Sequence, residues 1–549
     1  MDGLPDITPE TTFNDVVAYK ANTVGDKVYL TYVRDFDNNV DETYTYRDMH
    51  RLSNRLANGL LKLGIKKGDG ISLMEINSPE FLFTVFAAFK IGVYVVLVNT
   101  GLKGEGLQYI IDHSDSKALL IHWSFLDQYA DIRDRLPKLE HIIVDTSEAP
   151  EGFALPENAV ALKDIMAAPD TEVRADIEPD DMAVLIYTSG TTGLPKATTF
   201  QHGRISMGPG IMLFLGLAQM MAKPDDVLYT CLPLFHGNAL QLTALPGFFA
   251  EIPVVLSKRF SASRFWDIIR KYGVTNFNLL GSMPQFLLKQ PEKENDRDNR
   301  VWRVNTAACP RELIVKFENR FGVKVYEGYG AVDGGGFMLK TFGLEDVPVG
   351  TMGKADPGVT AEVMGEDGRI LPPGEVGELV FLVPEEELES RKVVYYKDER
   401  SSAERIREDA SGRKWFHTGD LATRDENGWF FFVDRKKDAI RRRGENIAAW
   451  SIERVINQHE KVLESAAYGV KSEEYAEDEI MATVVLKPGE VLKPEELLAF
   501  CRNKMADFML PRYVEFVDKL PKSEVHRIMK RFLKERGVTP ATWDREKNG

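Results

Sequence analysis

Strand-like and helix-like stretches alternate over about the first 120 residues, and this alternation restricts the folds open to the chain. The helical pattern "TYRDMHRLSNRLANGLLKLG" precedes the apolar run "GISLMEI", and "EFLFTVFAAFKIG" precedes "VYVVLV". Strands joined through helices pair in parallel, with the helices packed on the faces of the sheet. The same alternation returns in "VLYTCLPLFH", "RFWDIIRKYGV" and "TNFNLLG". The sequence therefore predicts an α/β protein with helix-covered parallel sheets.

The pattern changes twice in the second half of the chain. From about residue 350, short strands separated by Gly/Pro turns, as in "DGRILPPGEVGELVFLV", predict a small β subdomain. Beyond the charged run in "WFFFVDRKKDAIRRRGENI" lies a unit of about 110 residues with its own helices and strands, enough for a separate α+β domain. We therefore expect a large N-terminal domain of stacked αβ subdomains plus the β subdomain, residues 1–433, and a small mobile C-terminal domain, residues 434–549.

Charge and cysteine content narrow the possible partners and compartment. The formal net charge of −15 argues against a general nucleic-acid or anionic-membrane surface, because phosphate groups attract basic proteins. The three cysteines, an odd number without zinc-site spacing, indicate reduced thiols of a cytoplasmic protein. No secretory signal is recognisable, and the apolar residues 81–98 are interrupted by Lys90 and Gly92. We expect a soluble monomer or homodimer without an integral membrane segment.

The stretch "YTSGTTGLPK" follows the buried-strand pattern "MAVLI" directly. Glycine lets a backbone approach a ligand closely, and serine and threonine add hydroxyl donors to the exposed amides. This composition suits a phosphate-binding loop, although the spacing is not that of a Walker A loop. A plain hairpin loop is the alternative interpretation of the same residues.

Six motifs occur in one order along the chain: "YTSGTTGLPK", "LPLFHG", "EGYGAVDGG", "HTGD", "DRKKDAIRRRGENI" and "LPKSEVHRIMK". With them the chain resembles the adenylate-forming superfamily of acyl-CoA synthetases, amide-bond adenylation domains and luciferases. In the motifs "EGYGAVDGG" and "RRRGENI", the chain is similar to the branch of the superfamily that contains carnitine, bile-acid and fatty-acid-transport CoA ligases. The resemblance implies an AMP-forming acyl-CoA synthetase of the fatty-acid metabolism type. Its substrates are a small-molecule carboxylate, ATP with Mg²⁺, and coenzyme A.

The resemblance also implies which residues hold the nucleotide. Tyr329 would lie against the adenine, and Asp420, with Arg435, would bind the ribose hydroxyls, since a carboxylate offers two oxygens to a vicinal diol. Asp333 stands where the family usually has a magnesium-binding glutamate, and Val332 replaces a threonine that contacts the α-phosphate. The triphosphate would be wrapped by Thr188, Ser189, Gly190, Thr191, Thr192, Gly193 and Lys196. Further nucleotide contacts are implied at Ala308, Glu327, Gly328, Gly330, Val332 and Phe432.

The remaining motifs imply a gate, a hinge and a thiol channel. His236 would separate the acyl pocket from the nucleotide, although a hydrogen-bonded core histidine is the alternative. Lys437 falls at the hinge about which the family's small domain rotates between the two half-reactions. In "RRRGENI", Gly444 would leave space for pantetheine, and residues 441–443, Arg443 among them, would be available to the phosphates of coenzyme A.

The last motif departs from the family pattern. "LPKSEVHRIMK" has His526 and Arg527 where the family has Gly-Lys. The guanidinium group of arginine is larger than the ammonium group of lysine and is planar, so the replacement is not conservative at a tight site. Three interpretations stay open: Arg527 performs the adenylation role, a neighbour such as Lys522 or Lys530 performs it, or adenylation is slow and the enzyme works towards ATP formation.

Two alternative functions and the identity of the acid also stay open. The first alternative to the ligase is an adenylating enzyme whose acceptor is not coenzyme A. The second is a catalytically silent protein that binds an acyl group or a nucleotide. The acyl pocket is expected around residues 236–238, 281–285 and 306–309, where small side chains leave volume. Asn238 and Gln285 would offer polar contacts there, which is compatible with a medium-chain, cyclic or functionalised carboxylate.

Overall fold

The computed structural model describes most of the 549-residue chain. The described residues are 7–188, 195–221, 223, 225–280, 283–307, 309, 311–330, 338–356, 358–385, 388, 395–435, 440–442, 445–447, 449–471, 478–502, 504–505, 509–523 and 528–548.

The strands in this part of the chain are β1 (Val28–Asp35), β2 (Val40–Thr45), β3 (Gly70–Met74), β4 (Tyr94–Leu97), β5 (Ser116–His122), β6 (His141–Asp145), β7 (Ala159–Ala161), β8 (Met182–Thr188), β9 (Lys196–Gln201), β10 (Leu228–Thr230), β11 (Val254–Ser257), β12 (Asn276–Asn278), β13 (Arg303–Thr306), β14 (Val325–Gly330), β15 (Met338–Lys340), β16 (Lys354–Ala355), β17 (Ala361–Met364), β18 (Gly377–Leu382), β19 (Ile406–Glu408), β20 (Lys414–Arg424), β21 (Phe430–Arg435), β22 (Ile440–Arg442), β23 (Glu445–Ile447), β24 (Val462–Lys471), β25 (Asp478–Leu486), β26 (Tyr513–Phe516) and β27 (Trp543–Asp544).

The α-helices are α1 (Phe13–Thr23), α2 (Tyr46–Lys62), α3 (Pro79–Ile91), α4 (Gly104–His113), α5 (Leu126–Ala130), α6 (Leu162–Ile165), α7 (His202–Ile205), α8 (Gly208–Met221), α9 (Gly237–Ala239), α10 (Leu245–Ala250), α11 (Phe265–Lys271), α12 (Met283–Leu288), α13 (Arg311–Phe321), α14 (Glu399–Glu404), α15 (Ala449–Ile456), α16 (Pro494–Arg502), α17 (Lys530–Arg536) and α18 (Arg545–Asn548). A π-helical turn, Leu240–Ala244, joins α9 to α10.

Two large sheets form the N-terminal part. The first has seven strands in the order β7-β6-β5-β3-β4-β8-β9. Its strands are parallel except β9, which returns antiparallel to β8. The second has nine strands in the order β16-β15-β14-β13-β12-β10-β11-β1-β2, and its central strands are parallel. The parallel arrangement expected from the strand–helix alternation is therefore confirmed.

Helix α3 lies in the core that the two sheets share. Its side chains are buried almost all round, as expected for a helix covered on every face. The ring of Phe86 is 4.9 Å from that of Phe248 and 4.7 Å from that of Phe13, centroid to centroid. The helix begins at Pro79 after the capping hydroxyl of Ser78, and it ends at Gly92. Gly92 has φ 66°, a left-handed value that glycine adopts without strain.

Smaller sheets follow in the second half of the chain. Strands β17-β18-β20-β19, with β21 paired to β20, form the predicted β subdomain, and β22 and β23 form a short hairpin. Strands β24-β25-β26-β27 form a separate sheet with its own apolar core, which includes Ile452, Ala482 and Leu497. The predicted class, a large α/β domain followed by a small C-terminal domain, is confirmed. The boundary at residue 434 and the rotation of the small domain stay predictions.

Two findings bear on the environment of the chain. Among the helices of the described residues, none combines the length and the apolar composition that crossing a bilayer requires. Cys231, Cys309 and Cys501 are buried and form no disulfide.

Candidate functional site

A residue near the end of β14 meets one in the middle of β20, 91 residues further along the chain. Tyr329 Oη donates a 2.6 Å hydrogen bond to Oδ2 of Asp420. Asp420 is only 5% exposed, and its backbone N–H donates to Thr418 Oγ1 at 3.1 Å. The strands β20 and β21 pair Asp420 with Arg435, so the backbone places these two predicted ribose-binding residues opposite each other. The motifs "EGYG" and "HTGD" therefore form one corner.

A cavity of about 280 Å³ opens beside this corner, between the large domain and the helix that follows the β22–β23 hairpin. Burial raises the pKa of Glu327, on the same strand as Tyr329, to about 8, so its carboxyl is mostly protonated at neutral pH. The Oε1 of Glu327 accepts a 3.1 Å hydrogen bond from the backbone N–H of Cys309. The lining residues are Cys309, Arg311, Glu327, Val349, Gly350, Phe431, Phe432, Trp450 and Arg454.

The predicted phosphate loop connects β8 to β9. Thr188 and Lys196 face each other in the antiparallel register at its two ends. The ammonium of Lys196 lies 3.6 Å from Oδ2 of Asp398, donates a hydrogen bond to Ser401 Oγ, and lies 5.3 Å from the ring centroid of Tyr395. A hydroxyl and a cation therefore stand at the two ends of the loop. The partners of Lys196 were not predicted, because nothing in the motif order links them to it.

His236 follows β10 and directly precedes the one-turn helix α9. Burial lowers its pKa to about 4, so the imidazole is neutral at neutral pH. Its Nε2 has no hydrogen-bond partner among the described residues, and its ring centroid is 4.9 Å from that of Phe235. A neutral ring with a free nitrogen can accept or donate one hydrogen bond to a ligand, but it does not supply charge.

A row of amide side chains crosses the carboxyl ends of β12 and β13. Asn278 Nδ2 donates to Asn238 Oδ1 at 2.9 Å, and Asn305 Nδ2 donates to Asn278 Oδ1 at 2.7 Å. Arg303 Nε donates to Asn305 Oδ1 at 2.8 Å, which anchors the far end of the row. Only Asn238 was predicted. The polar wall is longer than the sequence indicated.

The small domain rests on α12, next to the expected acyl pocket. Gln285 Nε2 donates to the carbonyl of Leu463 at 2.9 Å, so one donor of this amide is engaged by the small domain, and its contact with the acid stays a prediction. Lys522 pairs with Glu464, and its ammonium lies 4.8 Å from the ring centroid of Phe286. These contacts place the beginning of the "LPKSEVHRIMK" motif against the large domain.

Two basic residues considered for catalysis or for coenzyme A are engaged in ion pairs. Arg442 is 1% exposed, and its Nε lies 2.8 Å from Oε2 of Glu479. The prediction that Arg442 is available to coenzyme A phosphates is therefore wrong, because a buried side chain on β22 points into the small domain. Lys530 Nζ lies 2.9 Å from Oε1 of Glu453, so an adenylation role for it requires that this pair breaks.

Several predicted site residues lie outside the described part of the chain, as does the side chain of Arg435. These residues are Ser189, Gly190, Thr191, Thr192, Gly193, Ala308, Val332, Asp333, Lys437, Arg443, Gly444 and Arg527.

Comparison with known families gives two matches. Residues 17–384 match the family described as AMP-binding enzyme, and residues 451–527 match the AMP-binding enzyme C-terminal domain. The crotonobetaine/carnitine–CoA ligase of Salmonella typhi is 30% identical over 520 residues, which cover 94% of this chain and 97% of that ligase. The corresponding ligase of Salmonella typhimurium is 30% identical over 521 residues, with the same coverage of both chains.

Solved structures give the same fold. The anthranilate CoA ligase AuaEII, solved in complex with anthranoyl-AMP, superposes with a TM-score of 0.80 at 22% identity, covering 97% of this chain and 98% of that one. ATP-bound MatB from Rhodopseudomonas palustris superposes with a TM-score of 0.78 at 24% identity, covering 96% of this chain and 99% of MatB.

Proposed function

The chain belongs to the family of AMP-binding enzymes, and from that premise we propose how its residues carry out the chemistry of an AMP-forming acyl-CoA ligase. In this acid–thiol ligation, a carboxylate oxygen attacks the α-phosphorus of ATP and pyrophosphate leaves. The sulfur of a thiol then attacks the carbonyl carbon of the acyl adenylate, and AMP leaves. Coenzyme A is the proposed thiol, and the cytoplasm is the proposed compartment.

The Tyr329–Asp420 hydrogen bond is the observation that carries the nucleotide assignment. It holds a carboxylate with a second oxygen beside an aromatic ring, a combination that suits a ribose diol next to a flat base. Phe432 and Glu327 line the adjoining cavity, and we assign both to the nucleotide. Because burial raises the pKa of Glu327 to about 8, its carboxyl brings less negative charge to a site that must accept phosphates.

Lys196 and Thr188 are the proposed phosphate contacts at the ends of the loop, and Asp333 is the proposed Mg²⁺ ligand. A cation at this point stabilises the charge that develops on departing pyrophosphate. Asp398 and Ser401 hold the ammonium at the loop when no phosphate competes for it. A bound Mg²⁺ would add positive charge at the same phosphates.

Contacts of the C-terminal domain support an arrangement suited to adenylation. Lys522 and Leu463 lie against α12, so the beginning of the final motif faces the large domain. Of the three cations considered, we favour Arg527 for the adenylation role, because Lys530 and Lys522 are paired with Glu453 and Glu464. Rotation at Lys437 would then bring Arg443 and Gly444 to the channel for coenzyme A.

The amide row supports a carboxylic acid that carries a polar group. Asn238 belongs to a wall of hydrogen-bonded amides, which binds polar ligand atoms better than a plain alkyl chain. The similar ligases are named for crotonobetaine and carnitine, and we propose that the acid of this chain belongs to the same class of substituted carboxylates.

The test is AMP formation with ATP and Mg²⁺ against short, medium, long, alicyclic, aromatic and betaine-like acids. Each acid is assayed with and without coenzyme A, beside the reverse reaction from its thioester. We expect coenzyme A-dependent AMP formation with a polar acid. AMP release without coenzyme A would indicate another acceptor, and ATP binding without turnover in either direction would indicate a silent binder.

A further inference from the structure

Three adjacent parallel strands each end in a side chain that can bind a metal ion. Glu75 directly follows β3, His122 is the last residue of β5, and Asp145 is the last residue of β6. The register pairs His122 with Asp145, and it pairs Met74 with Ile121, so Glu75 falls level with His122. The carboxyl ends of parallel strands form the edge where open α/β sheets bind ligands. The topology therefore gathers these three side chains at one point.

The geometry of the three side chains is close to that of a ligand set. One potential ligand atom from each lies within 4.8 Å of the others, and the residues are 1%, 3% and 2% exposed. Around one ion with bonds of about 2.1 Å, three ligand atoms lie roughly 3.4 to 3.6 Å apart. Closing a cluster whose ligand atoms are within 4.8 Å of one another therefore moves each atom inward by up to roughly 0.7 Å, a shift that side-chain rotation supplies.

Two polar atoms of this cluster, Nε2 of His122 and Oε2 of Glu75, are buried and have no hydrogen-bond partner among the described residues. The other ring nitrogen of His122 shares a 2.7 Å hydrogen bond with Ser124 Oγ, an outer contact of the kind that orients a metal-binding histidine. Asp145 accepts from the N–H and the hydroxyl of Ser147. A buried polar atom without a protein partner is costly, so an ion or a water molecule is expected beside it.

The charges around the cluster also favour a cation. Glu80, whose Oε2 also has no hydrogen-bond partner among the described residues, adds a third carboxyl beside the cluster. The nearby cation Arg34 is already paired with Glu42 and Glu148. Lys258 is likewise paired with Glu148.

We propose that Glu75, His122 and Asp145 bind one divalent transition-metal ion of the Zn²⁺ or Mn²⁺ class, which fastens β3, β5 and β6 together. One imidazole and two carboxylates form a donor set that suits such ions. The site is separate from the phosphate loop, because β8 lies two strands from β3 and three from β5, about 10 to 15 Å at the usual strand spacing.

The experiment uses the full chain without nucleotide, stripped with a chelator and titrated with Zn²⁺. We expect uptake of one Zn²⁺ per chain with a rise in melting temperature, and affinity weakened at least about tenfold in His122→Gln. His202→Gln is the matched control. His202 is also buried, with its Nδ1 on a serine hydroxyl and its Nε2 without a partner among the described residues, but it belongs to no metal-like cluster.

Three results would overturn the proposal. The first is that the wild type does not take up one Zn²⁺ per chain. The second is that His122→Gln binds Zn²⁺ as tightly as the wild type does, and the third is that His202→Gln loses as much Zn²⁺ affinity as His122→Gln. In the first case the cluster is a proton-sharing network instead. If His122→Gln does not fold, the isosteric Glu75→Gln is titrated in its place, and it must weaken binding by a similar factor.

Discussion

Tyr329 donates a 2.6 Å hydrogen bond to the carboxylate of Asp420, 91 residues further along the chain. The contact joins a strand of the nine-stranded sheet to a strand of the β subdomain. It fixes the carboxylate before nucleotide arrives, so little ordering is left for the binding step. The relationship between these two residues therefore provides a direct test of the nucleotide assignment.

Asp420→Asn is expected to raise KM for ATP by about one to two orders of magnitude, since hydrogen bonds to a charged group contribute about 1.5–3 kcal/mol. Tyr329→Phe retains the ring and removes only the phenol, so its effect is expected to stay below about tenfold. The measurement is an ATP titration at saturating acid and coenzyme A, with AMP affinity from calorimetry. Asp425→Asn is the control, because that carboxylate only caps the β20–β21 turn. An unchanged KM in Asp420→Asn would refute the ribose assignment.

Lys196→Met is expected to slow adenylate formation by about 10²- to 10³-fold, the range seen when one preorganised donor is removed from developing charge. The effect should appear in kcat of pyrophosphate exchange more than in KM, because the charge develops during the reaction. Lys397→Met is the control, since that exposed lysine is next to Asp398 in the sequence but pairs with Asp115 instead of facing the loop. Equal rates in the two variants would remove Lys196 from the phosphate site.

The sequence predicted the parallel sheets well, because strand and helix periodicity are local properties of the chain. Tyr329 and Asp420, which two short motifs assign to the nucleotide, lie in hydrogen-bond contact, and their role at the nucleotide stays a prediction. The sequence did not identify Asp398 as a partner of Lys196, since the contact depends on how the β subdomain packs on the first sheet.

One expectation failed, and another residue has a partner that was not predicted, for a related reason. Arg442 lies in a charged run that suggests an exposed surface, yet Glu479 on β25 pairs with it inside the small domain. Gln285 was expected in the acyl pocket, yet it binds a carbonyl of the small domain. In each case the decisive partner is distant in sequence, and no local pattern reports it.

Arg442→Met is expected to destabilise the protein by about 3–5 kcal/mol, because it leaves the buried carboxylate of Glu479 without its closest partner. Arg512 Nη1 lies 3.9 Å from Glu479 Oε1 and still offsets part of that charge, so the loss of stability should fall near the lower end of this range. Adding Glu479→Leu should recover part of the stability, since the unpaired charge is then gone. Thermal unfolding of the full chain measures this, with the exposed pair variant Arg531→Met as the control. A raised KM for coenzyme A at unchanged stability would instead return Arg442 to the thiol channel.

His202 makes the stability of the protein depend on pH. Burial lowers its folded-state pKa from 6.5 to about 4. Above pH 6.5 the ring is neutral in both states and costs nothing. Between pH 6.5 and 4 only the unfolded chain takes up the proton, so stability falls as pH falls. The expected slope is about 1.4 kcal/mol per pH unit for each such group.

In His202→Gln, the free energy of unfolding should depend less steeply on pH, with a slope that is smaller by the contribution of up to about one proton. His50, His122 and His236, whose pKa values are lowered in the same way, should account for the dependence that remains. Urea unfolding of both proteins between pH 7.5 and 4.5 measures the difference. Lys67 and Asp181 are the charged neighbours of His202, and they pair with each other at 2.7 Å. An Asp181→Asn variant therefore serves to separate their contribution. Identical slopes in wild type and His202→Gln would mean that the buried ring takes up its proton without unfolding, through water that reaches it in the native state.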